Sequence, residues 1–164
     1  MGAAPKTFLA PQQAVTAQFR KLAKAIGQIY ATMSDAISGK YPTWKPNGLP
    51  IYPIIVTLDN WNLFTPMIQG ELDNLVKEEL NRRGIGCSIL SDYRYTVCCI
   101  REFEAAIQVM HSNGIHEVMK GITDPSKAGW LFSVYLTSEF SESTSQTRAL
   151  FPEERERFLS GVLT

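Results

Sequence analysis

The sequence predicts an α/β fold: a small central mixed sheet of about three or more strands flanked by helices, with a long N-terminal amphipathic helix and a helical C-terminal part. Three features point there. Val15, Phe19, Leu22, Ile26, Ile29, Met33 and Ile37 recur at alternating steps of three and four, the stripe of an amphipathic helix over 11–38. Ile51–Leu58 and Tyr95–Ile100 are continuous, β-branched apolar runs, as strands covered on both faces require. Helical periodicity lies between and after them, so strand and helix alternate.

The segment 39–50, with Pro42, Pro46, Asn47, Gly48 and Pro50, sustains neither helix nor ladder and reads as a connector. Thr65-Pro66 opens a helix whose stripe is Ile68, Leu72, Leu75, Val76 and Leu80, ending near Arg82-Arg83-Gly84. Cys87–Leu90 is a short third strand candidate. Glu102–Ser112 reads as a helix stopped by Asn113-Gly114, with a short helix at Ile115–Lys120 after it. Asp124-Pro125 starts a further helix through Trp130, Leu131, Val134 and Tyr135, a stretch whose pattern also fits a strand over 130–136. Residues 141–150 read as a polar loop, and Pro152 opens a final charged helix. Residues 1–10 are expected to be a flexible N-terminus and 11–164 one domain, since 164 residues at 45% hydrophobic content suffice for one core.

No apolar run approaches the roughly 20 residues that cross a bilayer, and the three cysteines (Cys87, Cys98, Cys99) are an odd number. A cytoplasmic protein with reduced thiols is the expectation. Net charge is zero, but residues 1–48 hold six basic groups against one acid, and the remainder is correspondingly acidic. A dipolar chain of this kind presents its basic end to phosphate or pairs it with its own acidic half.

No complete catalytic motif is present: GxxxxGK[ST], GxGxxG after a strand, HExxH and CxxC are all missing. His111 and His116 are separated by Asn113-Gly114 and do not share one helical face. Cys98 and Cys99 sit within an apolar strand, where a thiolate is disfavoured. Asp59 follows the first strand, at the carboxyl end where α/β sheets bind ligands, with Trp61 beside it. A carboxylate there holds a metal or a substrate hydroxyl, or satisfies the backbone of the turn.

The order of basic helix, Pro-rich connector, strand Tyr52–Asp59, helix, strand Tyr95–Ile100 and then Glu102-Phe103-Glu104 resembles the C-terminal half of the restriction-endonuclease-like (PD-(D/E)xK) fold of bacterial proteins, over about residues 11–114. In that group the long helix carries basic and amide side chains toward nucleic acid, which implies Gln13, Arg20, Lys21 and Lys24 as phosphate contacts. The family holds Mg²⁺ on an Asp and an acid-x-Lys triplet upstream of that helix. No such triplet occurs on a strand here, and Tyr30 has Ile26, not glutamine, four residues before it. The resemblance therefore implies a non-catalytic or incomplete nuclease-like domain contributing to nucleic-acid processing, with no cofactor, and with Mg²⁺ only if upstream acidic strands are supplied. Two alternatives stand beside it: an interaction or oligomerisation module pairing through the apolar stripe of the N-terminal helix with itself or a protein partner, and a small-molecule enzyme with a site near Asp59.

Overall fold

A computed structural model describes residues 12–44, 47–58, 60–61, 66–150 and 152. In chain order these form α1 (Gln12–Ile37), β1 (Ile54–Thr57), α2 (Pro66–Arg82), α3 (Ile89–Asp92), β2 (Thr96–Cys99), α4 (Ile100–Asn113), α5 (Ile115–Ile122), a 3₁₀ turn at Pro125–Lys127, α6 (Phe132–Glu139) and α7 (Ser141–Ser145).

Among the described residues the central sheet of three or more strands is not present: they are mostly helical, 63% helix against 6% strand, and the sheet they form has two parallel strands. The reasons are local. Pro53 has no N–H to give to a ladder, so pairing begins at Ile54 and ends at Thr57, in register Ile54↔Thr96 to Thr57↔Cys99. Cys99 is already the N-cap of α4, which truncates the second apolar run. The third candidate, Cys87–Leu90, winds instead into the single turn α3, with the Asp92 and Tyr93 N–H groups bonded to the carbonyls of Ser88 and Ile89. The stretch 130–136 is helical in α6. Residues 141–145 form a helix as well, with the Thr144 N–H bonded to the Phe140 carbonyl and the Thr144 hydroxyl donating to Leu136.

The chain divides into two units. The first comprises the described residues of 12–49 and 67–93, the second those of 50–66 and 94–152. In the first, α1 buries Phe19, Leu22, Ala23, Ile26, Tyr30 and Met33, and α2 buries Leu72, Val76, Glu79 and Leu80. At Gly27 the two helices lie close: a Cβ built on it meets Glu79 Cγ at 2.4 Å. That close approach justifies a residue which in a helix interior costs about 1 kcal/mol relative to alanine. The Tyr30 hydroxyl donates to the Tyr93 carbonyl and ties α1 to the end of the unit. Helix α2 stops in a left-handed turn at Gly84, φ 70°, where Ile85 N–H bonds to Leu80 O and Gly84 N–H to Asn81 O.

In the second unit α4 lies against both strands and against α5, α6 and α7. The core is Cys98, Ala106, Val109, Met110, Val118, Met119, Ile122, Phe132, Tyr135 and Leu136. At roughly 1.5–3 kcal/mol for each large side chain fully removed from water, this cluster is the main cohesive term of the unit. A glycine at φ 92°, Gly114, turns α4 into α5.

Candidate nucleic-acid interface

The basic residues of α1 fall where its buried stripe leaves room for them. With about 100° between successive residues, Lys24 lies about 40° round the axis from Arg20, and Lys21 about 100°. The three share one face, a turn apart, and all are exposed. Their neighbours on that side, Ala17, Gln28 and Thr32, are exposed and uncharged.

Among the described residues no carboxylate pairs with Arg20, Lys21 or Lys24; the ion pairs formed are Lys40–Asp35, Arg82–Glu79, Arg83–Glu79 and Lys127–Glu139. Lys40 differs from them. Its ammonium is 2.6 Å from Asp35 Oδ1, and that hydrogen bond and charge raise its pKa above the usual lysine value. The backbone of Gln13 belongs to the first turn of α1, while its side chain lies outside the described residues. Counted over the segments of the first unit, 1–49 and 67–93, nine basic residues stand against six acidic ones, a net +3; the rest of the chain, with seven against ten, is at −3.

The remaining sequence-derived positions are not gathered at one place. Asp59 lies outside the described residues, and Trp61 is half-buried. His111 sits in the last turn of α4 and His116 in the first of α5, where its Nδ1 is 2.6 Å from the Tyr52 hydroxyl. Tyr52's phenol is pushed up by burial and by Glu117. Among the described residues no group of three or more His, Cys, Asp or Glu side chains is placed to hold a metal ion. Cys98 and Cys99 are both buried, and burial, with Glu102 and Cys99 nearby, pushes the Cys98 thiol up to about 12, so it carries no nucleophilic thiolate near neutrality.

One polar centre escapes the sequence reading. Glu102, buried in the first turn of α4, accepts from Cys99 N–H at 3.0 Å and from Ser133 N–H and Oγ at 3.2 and 2.8 Å. All these partners are donors within the fold, so it clamps two helix N-termini. The spacing Cys99-x-x-Glu102 is that of a capping box, masked by a cysteine where serine or threonine usually stands.

No helix among the described residues is long and apolar enough to cross a membrane. Compared with protein-family models, curated proteins and solved structures, the chain matches none of them.

Proposed function

We propose that the first unit binds the phosphate backbone of a nucleic acid through the exposed face of α1, with Arg20, Lys21 and Lys24 as the contacts, and that the protein contributes to nucleic-acid processing as a binding, non-catalytic component. The observation that carries this reading is the set of three neighbouring cations with no carboxylate partner among the described residues. Cations in this state neutralise phosphates of a polyanion and release its condensed counterions, at an entropic gain. An anionic membrane fits less well, because the apolar face that would enter lipid (Phe19, Leu22, Ile26, Met33) is buried within the chain. The same burial counts against pairing of α1 with a second copy.

The test is fluorescence anisotropy on a labelled 20-base-pair DNA across 20–200 mM salt, with the wild-type chain and an Arg20→Gln/Lys21→Gln/Lys24→Gln variant. Three phosphate contacts give a slope of log affinity against log salt of about −2.7, a loss of about 40-fold between 50 and 200 mM from these contacts alone. The triple variant loses that part of the slope while its circular dichroism stays unchanged. Wild-type protein that does not bind at 20 mM salt, that binds with a slope the variant leaves intact, or that is retained on phosphatidylserine vesicles but not on DNA, overturns the reading.

A further inference from the structure

The cationic face of α1 does not end on α1. Gly27 lies at the border between the buried stripe and the basic face: it is about 20° round the axis from Arg20 and about 60° from Lys24, and about 10 Å and 4.5 Å from them along it. The notch that Gly27 leaves is filled by Glu79 of α2, whose Cγ is 2.4 Å from where a Gly27 Cβ would stand, and Arg83, the residue after α2, borders it with Nε at 3.4 Å.

Arg83 is held there. Glu79, whose side chain is 5% exposed, accepts from Arg83 Nε at 2.8 Å with one oxygen and from Arg82 Nη2 at 2.7 Å with the other. The cluster of two arginines and one carboxylate keeps a net charge of +1. Glu79 occupies the Nε side of Arg83, and the two terminal amino groups of that guanidinium keep their four N–H donors, the fork that matches two phosphate oxygens. Arg83 follows the last residue of α2 and precedes the left-handed turn at Gly84, its N–H bonded to the Glu79 carbonyl, at the helix end where the dipole favours a cation.

We propose that Arg83 is a fourth phosphate contact, continuing the row Arg20–Lys24 across the Gly27 notch, and that Glu79 is its positioning residue. The inference rests on the nucleic-acid reading of α1 and adds to it a rigid member from the C-terminal end of a second helix. Arg20, Lys21 and Lys24 stand on long stems free to follow the backbone; Arg83 does not, and sets where along the row a phosphate sits. Nothing in this contact reads a base, so the ligand class is the sugar-phosphate backbone of any sequence.

The experiment uses the full chain and the same duplex. Arg83→Gln removes one phosphate contact, so the slope of log affinity against log salt becomes shallower by about 0.9, a difference of about 3.5-fold between 50 and 200 mM. Arg101→Gln, on the exposed first turn of α4 in the other unit, is expected to leave the slope unchanged. Since Glu79 loses a partner in Arg83→Gln, wild-type protein is also treated with phenylglyoxal with and without the duplex, and its modified peptides are measured by mass spectrometry. Protection of Arg83 with none of Arg101 is the expected result. A wild-type slope in Arg83→Gln, or an Arg83 modified equally with and without DNA, overturns the assignment of Arg83. If Arg20→Gln/Lys21→Gln/Lys24→Gln still flattens the slope in that case, the α1 reading survives; a wild-type chain that does not bind DNA at all removes both.

Discussion

Replacing Glu102 by glutamine keeps the volume and shape of the side chain and removes its charge and one acceptor oxygen. The carboxylate serves the N-terminus of α4 through Cys99 N–H, at 3.0 Å from Oε2, and the N-terminus of α6 through Ser133 N–H and Oγ, at 3.2 and 2.8 Å from Oε1. Leu131, the N-cap residue of α6, has no side-chain oxygen of its own to give, so Glu102 does the capping from 31 residues away. A glutamine offers one carbonyl oxygen and turns an NH₂ group toward the other set of donors. Hydrogen bonds to a charged group are worth about 1.5–3 kcal/mol net, and a carboxylate at a helix N-terminus about 0.3–1 kcal/mol more. With one side of the clamp reversed, Glu102→Gln is expected to destabilise the protein by about 2–4 kcal/mol. Urea unfolding followed by circular dichroism at 222 nm reads this as a midpoint lowered by about 1–2 M at an ordinary denaturant slope. A loss smaller than about 0.5 kcal/mol would show that the two helix N-termini do not depend on this carboxylate.

Gly121→Ala is expected to destabilise by about 1–3 kcal/mol, because the new Cβ falls 2.0 Å from the hydroxyl and 2.9 Å from Cζ of the buried Tyr135. Tyr135→Phe costs about 1 kcal/mol alone by leaving the Val118 carbonyl without its donor, yet added to Gly121→Ala it recovers part of the loss; strictly additive losses in thermal melts would refute this coupling. In a thiol titration with Ellman's reagent the folded protein exposes Cys87 before Cys98 and Cys99, which react only with unfolding. The fold raises the Cys98 thiol from 9.0 to about 12, so its contribution to stability is complete below about pH 9 and declines from there toward pH 12 as the unfolded thiol ionises. Equal reactivity of all three thiols at pH 7.5 in the folded state would contradict that burial.

The longer helices α1, α2 and α4 were legible because their signals are redundant. In α1 the stripe of Phe19, Leu22, Ile26 and Met33 is buried as its period requires, and in α4 the apolar period and the Asn113-Gly114 stop agree with each other. The sheet was overestimated because a short apolar run looks the same whether it is a strand between two others or an irregular segment pressed against helices. Of Ile51–Leu58 only Ile54–Thr57 pair, and Leu58 at the end of the run is 87% exposed. Cys87–Leu90 shows the limit of reading four residues at a time: with Gly84 and Gly86 before it and Asp92 after it, local i to i−3 and i to i−4 bonds outcompete a distant partner strand. The exposed cations of α1 follow directly from helical geometry. The Glu79–Arg83 pair is itself an i,i+4 spacing, but its place against Gly27 of α1 does not follow from the sequence, because a glycine in one helix meeting a glutamate in another is encoded by no periodicity within either.

A net charge of zero is no obstacle to a polyanion, because screening decides over what distance charges are summed. At 0.1 M salt the Debye length is about 10 Å, and the row from Arg20 through Lys24 to the Gly27 notch is about that long. A phosphate at α1 therefore senses those side chains as a group, while exposed acids such as Glu71 and Glu78 act on it only as far as they fall within the same radius. Net charge governs the approach of a polyanion from a distance and at low ionic strength; once at the surface, binding is set by which cations lack a carboxylate of their own. By that criterion Lys40, paired with Asp35, is spent, and Arg20, Lys21 and Lys24 are not. The arginine pair that shares Glu79 is intermediate, with three groups summing to one positive charge, so Arg83 is to be counted for the direction in which it holds that charge rather than for its size.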